Sequence, residues 1–192
     1  MWRVPWCQDT ICVLVDGAEI LVIKFSNAFT SIGLLFAVLM SLSGCDNELL
    51  SRLDKLEDQA EANQQAGQAY LTANARQDGV LITSSGLQYR VLRAGTGVSP
   101  TLADRVQVHY RGELIDGSEF DSSYARNEPA RFPVAGLIPG WQEALQLMRV
   151  GDHWQLFIPS GLAYGKRSPS PKIPSNSTLV FEMELLAIEG EQ

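Results

Sequence analysis

RVQVHYRGELIDGSEFDSS, residues 105–123, decides the fold. Val106, Val108 and Tyr110 alternate with polar residues, the period of a strand with one buried face. Asp116-Gly117 then sits between ELI and SEF, a hairpin signal, because a tight two-residue turn needs backbone angles that Asp and Gly adopt cheaply. The same alternation recurs on both sides. Leu87, Tyr89 and Val91 carry it in LQYRVLR, Trp154, Leu156 and Ile158 in HWQLFIP, and Leu179, Phe181, Met183 and Leu185 in TLVFEMELLAIE. One segment breaks the pattern. In PGWQEALQLM, residues 139–148, Trp141, Leu145 and Met148 fall at i, i+4 and i+7, one stripe of a helix that Gly151 closes. The expected class is therefore α+β: an antiparallel, strongly twisted sheet wrapped around one short helix.

Upstream the composition changes. DNELLSRLDKLEDQAEANQQAGQAYLTANARQDG, residues 46–79, has no proline, and Leu49, Leu53 and Leu56 follow helical 4–3 spacing before the stripe fades. The plain reading is a solvated helical spacer. The sharper one is a short coiled coil that joins two copies into a homodimer. Before it, AFTSIGLLFAVLMSL (28–42) is an uncharged apolar run, shorter than the roughly 20 residues of a bilayer span and suited to a secretory signal. Leu42-Ser43-Gly44-Cys45 follows directly and resembles the bacterial lipobox, which implies cleavage before Cys45 and a lipid anchor on it. Asp16 and Glu19 are out of place before a signal core, so the upstream extension is read as lying outside the true translation start. The expected organisation is 1–44 signal and extension, 45–79 lipidated cysteine and spacer, and 80–192 the sheet-and-helix domain.

Charge and composition exclude several classes. A net charge of −7 gives no phosphate-binding advantage, so nucleic acid is not an expected partner. No glycine-rich phosphate loop is present, and His109 and His153 stand without other ligands at metal spacing, so neither metal nor cofactor is expected.

The segments VHYRGELIDGSEFDSS, IPGWQEALQLMRVGD, IPSGLAYG and IPSNSTLVFEMELL resemble the FKBP domain, in the family's order and spacing over roughly residues 86–188. The stretch from Asn63 to Leu92 also resembles the helix and first strand of the Mip-like and FkpA-like cell-envelope members. The resemblance implies peptidyl-prolyl cis/trans isomerase activity on proline-containing unfolded polypeptides in the bacterial envelope, facing the periplasm. It also implies binding of macrolide inhibitors. By the same match Trp141 forms a pocket floor, and Phe120, Leu137, Ile138, Ile173 and Phe181 its walls. Tyr110 shares the wall and, with Asp121 and Tyr164, supplies the polar catalytic groups. A folding chaperone that uses this pocket without catalysis is the alternative. Two departures bear on the rim. Ala130 stands where strong macrolide binders carry an aromatic, and the loop GKRSPSPKIP after Tyr164 is rich in proline and positive charge, which points to a taste for acidic flanks.

Overall fold

The computed structural model describes residues 11–16, 19–24 and 43–189. The described residues fall into two compact units, parted between Arg52 and Leu53. The first contains a hairpin of β1 (Ile11–Asp16) and β2 (Glu19–Lys24), paired antiparallel with Asp16 opposite Glu19. No element was expected there. ICVLVD and EILVIK are rich in β-branched residues, the signal that favours strands. The apolar run 28–42 lies outside the described residues. Among those described, no helix is long and apolar enough to cross a membrane.

Helix α1 runs over Ser43–Asn74, and Cys45 lies in its first turn. The domain that follows comprises β3 (Val80–Ile82), β4 (Gln88–Arg93), β5 (Arg105–Leu114), β6 (Glu119–Ser122), β7 (Ala130–Pro133), α2 (Pro139–Leu147), β8 (His153–Ile158) and β9 (Leu179–Glu189). The strands form one antiparallel sheet in the order β3-β4-β8-β9-β5-β6, and β7 pairs with the first half of β5. Asp116-Gly117 turns β5 into β6 as expected: Gly117 takes a φ of 85°, and Asp116 Oδ1 accepts a hydrogen bond from the Ser118 amide.

The inner face is built from the alternating residues. Val106, Val108, Leu156, Ile158, Met183 and Leu185 are fully buried beneath Trp141, Ala144, Leu145 and Met148 of the α2 segment. The pattern fails in β4. Leu87 is buried, but Val91 is exposed beside a register shift between Val91 and Arg93, an irregularity in the β4–β8 pairing.

The outer face is partly covered too, because α1 lies on it. Cross-strand register aligns Gln88 with Phe157, Phe157 with Val180, and Val180 with Glu113. On this row Gln88, Phe157 and Val180 are buried. Tyr70 packs against Phe157 with ring centroids 6.2 Å apart. Asn74 Nδ2 donates to Gln88 Oε1 at 2.9 Å, and Gln88 Nε2 donates to the Leu71 carbonyl at 2.9 Å, so two buried amides satisfy one another and the helix end. Gly67 faces Thr178 so closely that a Cβ there would overlap the threonine hydroxyl. The freely solvated spacer expected over 45–79 is therefore corrected: residues from Leu53 on belong to the same compact unit as the sheet. A row with a glutamine in it does not look buried in sequence, which is why the docking face was missed.

Candidate functional site

Gly112 of β5 creates the space for the site. A Cβ on it would fall 2.6 Å from the Phe120 ring and 2.7 Å from the Phe181 ring, so only glycine lets both aromatics close over the strand. Phe181 and Phe120 meet edge to face at 5.5 Å. Trp141, only 4 % exposed, is the hub. Its ring lies edge-on to Tyr110 at 5.2 Å, to Phe181 at 5.1 Å and to Phe132 at 6.0 Å. Pro139 at the first turn of α2 starts the helix with Ile138 extended, which brings Trp141 inward one turn later. Leu137 and Ile138, partly buried, pack against this cluster from the α2 entrance, and Ile173, buried, joins it from the loop after Tyr164.

One edge of the aromatic cluster is polar. Tyr110 donates its hydroxyl to Asp121 Oδ2, and Arg126 pairs with Asp121 Oδ1. Arg126 Nη2 also donates to the Tyr110 oxygen at 3.0 Å, with its guanidinium 5.7 Å from the Tyr110 ring centre. Burial alone would raise the Asp121 carboxyl, but the hydrogen bonds from Tyr110 and Arg126 outweigh it and hold the group below its ordinary pKa. Burial, helped by the Asp121 carboxylate, pushes the Tyr110 phenol up. Neither group is poised to move a proton near neutral pH. Tyr164, 38 % exposed, makes no side-chain hydrogen bond among the described residues. Burial and then the charge of Asp121 raise its pKa.

The nine pocket residues expected from sequence thus divide by contact. Tyr110, Asp121, Phe120, Trp141 and Phe181 form one touching group. Leu137, Ile138 and Ile173 flank it within the core cluster. Tyr164 touches none of these through a hydrogen bond. Two contributors were not named as site residues, Arg126 and Phe132. Arg126 follows Asp121 by five residues, a short enough loop for the two to meet, and that spacing was the available signal. Behind the site, buried Ser123 accepts from the Tyr110 amide at 2.7 Å and meets His109 Nδ1 at 3.0 Å, while His109 stacks on Tyr124. His109 therefore braces the outer side of β5, in keeping with its expected outward position.

The chemistry available here is steric and electrostatic: an apolar aromatic box with a neutralised carboxylate and a hydroxyl on its rim. Among the described residues no three His, Cys, Asp or Glu side chains gather as a metal site. Size does not mark the site. A groove of about 700 Å³ lies between α1 and the loop after Tyr164, lined among others by Leu53, Leu56, Ala60 and Lys166, and holds none of the residues above.

A sequence profile of FKBP-type peptidyl-prolyl cis-trans isomerases matches residues 97–186, and one of the domain amino terminal to FKBP-type isomerases matches 41–91. The chain is 55 % identical over 142 residues to the FKBP-type 22 kDa peptidyl-prolyl cis-trans isomerase of Escherichia coli K12, covering 73 % of this chain and 69 % of that protein. It is 53 % identical to FkpA of Aeromonas hydrophila (70 % of this chain, 50 % of that protein) and 44 % to the outer membrane protein MIP of Legionella longbeachae (77 % and 64 %). It therefore spans from half to about two thirds of the length of these relatives. The crystal structure of Escherichia coli FkpA superposes with a TM-score of 0.73 at 43 % identity, covering 79 % of this chain and 71 % of that one.

Proposed function

The chain belongs to the FKBP-type peptidyl-prolyl cis-trans isomerase family, and from that premise we propose how its own residues isomerise X-Pro bonds in unfolded or partly folded polypeptides. The observation that carries the reading is the aromatic box closed on Trp141 with the Tyr110–Asp121–Arg126 network at its edge.

Rotation about a peptide bond is opposed by resonance, with a barrier of about 18–20 kcal/mol. In the ground state the amide is charge-separated and well hydrated. In the twisted state conjugation is lost, charge separation falls, and an apolar surrounding costs it less. A water-poor aromatic pocket therefore favours the twisted amide over the planar one, and this difference lowers the barrier. The proline ring packs on Trp141 between Phe120 and Phe181. Tyr164, exposed and without a side-chain hydrogen bond among the described residues, is free to donate to a substrate carbonyl. Asp121, held ionised by Tyr110 and Arg126, fixes the orientation of the Tyr110 ring and presents an acceptor at the rim. No proton moves and no covalent bond forms. A proline-limited refolding assay tests this, run beside aggregation suppression. Acceleration of the slow phase supports isomerisation; suppression of aggregation with an unchanged slow phase supports a holding chaperone instead.

We place the protein in the bacterial envelope, tethered to a membrane through lipid on Cys45 and facing the periplasm. The support is the lipobox-like Leu42-Ser43-Gly44-Cys45 and similarity to a relative named as an outer membrane protein. Cys45→Ser is expected to release the protein from the membrane fraction or to leave an unprocessed precursor; a variant still membrane-bound at the processed size rejects the tether. Leu49, Leu53 and Leu56 are 60 %, 48 % and 66 % exposed on α1, an apolar stripe that pairing with a second copy would cover. Macrolides would compete for the same box.

A further inference from the structure

We propose that the loop following Tyr164 makes this isomerase selective for proline segments flanked by acidic side chains, through Arg167 and Lys172 above all; the inference rests on the isomerase reading of the pocket.

The loop is held in place. The Arg167 amide donates to the Tyr164 carbonyl at 3.1 Å, so Tyr164 opens a turn with Lys166 at its corner and Arg167 at its close. Ser168 Oγ lies 2.8 Å from the Ile173 carbonyl and 2.9 Å from that of Ser170, and the Ile173 amide returns to the Ser170 carbonyl at 3.0 Å. The Asn176 amide donates to the Gly165 carbonyl at 2.7 Å and closes the base of the loop. Pro169, Pro171 and Pro174 restrict what remains. Lys172 immediately precedes Ile173, which is buried in the same cluster as Trp141. The cations therefore sit one to three residues from Tyr164 and Ile173, the two pocket residues of this loop.

Their charge is uncommitted. Arg93, Arg105, Arg111, Arg126 and Arg131 each reach a carboxylate within 4 Å. Among the described residues Lys166, Arg167 and Lys172 reach none, in a chain with 22 acidic residues. All three are exposed. Lys166 shares the α1 groove with Glu57 and Glu61, so part of its field is spent there; Arg167 and Lys172 are not in the lining of that groove. The carboxylate inside the pocket rim, Asp121, is offset by Arg126, so it does not turn an acidic segment away. A substrate with its proline on Trp141 would carry its flanking residues toward Ile173 and this loop, and exposed charges act over roughly 8–10 Å at moderate salt. The chemical class selected is thus an unfolded chain carrying Asp or Glu beside X-Pro.

The test compares isomerisation of short proline peptides flanked by Glu, Gln or Lys, at low and at 0.5 M salt, for the wild type and Arg167→Gln/Lys172→Gln. For each protein the Gln-flanked rate is the internal reference. At low salt the wild type is expected to favour the Glu-flanked over the Lys-flanked peptide in kcat/KM by about 3- to 10-fold, mostly through KM. High salt and the double variant should each shrink that ratio toward one. Equal rates on all three peptides at low salt, or a preference that survives in the variant, overturn the assignment. Absence of turnover on every peptide overturns the isomerase reading and takes this one with it.

Discussion

Gly67→Ala in α1 should destabilise the protein, although alanine is the better helix former. In an exposed helix the change gains about 0.8–1.0 kcal/mol. Here the new Cβ would lie inside contact distance of Thr178 Oγ1 and 3.0 Å from Thr178 Cβ. Thr178 is itself buried and sits just before β9, so it has little room to withdraw. Overpacking of this kind costs about 1–3 kcal/mol, which leaves a net loss of up to about 2 kcal/mol once the propensity gain is subtracted. The clash involves one hydroxyl, so a double-mutant cycle isolates it. With Thr178→Ala in place, Gly67→Ala should become neutral or stabilising by up to about 1 kcal/mol, giving a coupling of at least about 1 kcal/mol. Urea unfolding read by the buried Trp141 and Trp154 measures the global effect, and amide exchange within α1 measures local undocking. If Gly67→Ala stabilises the Thr178 protein by the full helix-propensity amount, α1 is not seated on the sheet in solution, and the docking described above is wrong.

Three further outcomes concern the site. Asp121→Asn and Tyr164→Phe should each lower kcat/KM on proline peptides, by about 10- to 100-fold for Asp121→Asn, since a charge-assisted hydrogen bond carries about 1.5–3 kcal/mol; full activity in the folded double variant would remove both residues from the mechanism. Because the carboxyl of Asp121 is depressed and the phenols of Tyr110 and Tyr164 are raised, activity should be flat from about pH 5 to pH 8. The Asp121 contribution to stability is present above its unfolded pKa of about 3.9 and is lost as acid takes pH through the lower folded value; an activity inflection that Asp121→Asn removes near pH 6 would contradict this. Ala130→Phe at the start of β7 should tighten macrolide inhibition by about 5- to 100-fold, the equivalent of about 1–3 kcal/mol of restored apolar contact; an unchanged inhibition constant argues that β7 does not form that wall.

The inner face of the sheet was readable because its signal is periodic: Val106, Val108 and Tyr110 announce one buried side, and Trp141, Leu145 and Met148 the helix that covers it. Asp116-Gly117 located the hairpin from turn chemistry alone. The chemical site needed more than periodicity, since Phe120, Trp141 and Phe181 are ordinary core residues by pattern, and only the resemblance singled them out. What stayed hidden depends on contacts between distant segments. Gln88 reads as a solvent-facing residue and is buried because Asn74 and the Leu71 carbonyl satisfy it. Phe157 breaks the alternation of β8 because a second helix covers the opposite face. Arg126 is one of many loop arginines until Asp121 is placed beside it.

A helix does not stretch. The contacts that seat α1 begin at Ala60 and Asn63, through Asn176 and the Ser175 carbonyl, and end at Asn74 on Gln88. Their spacing along the helix is therefore fixed: one residue inserted between Asn63 and Asn74 would turn one set of grips against the other by about 100°, where a coil would absorb it.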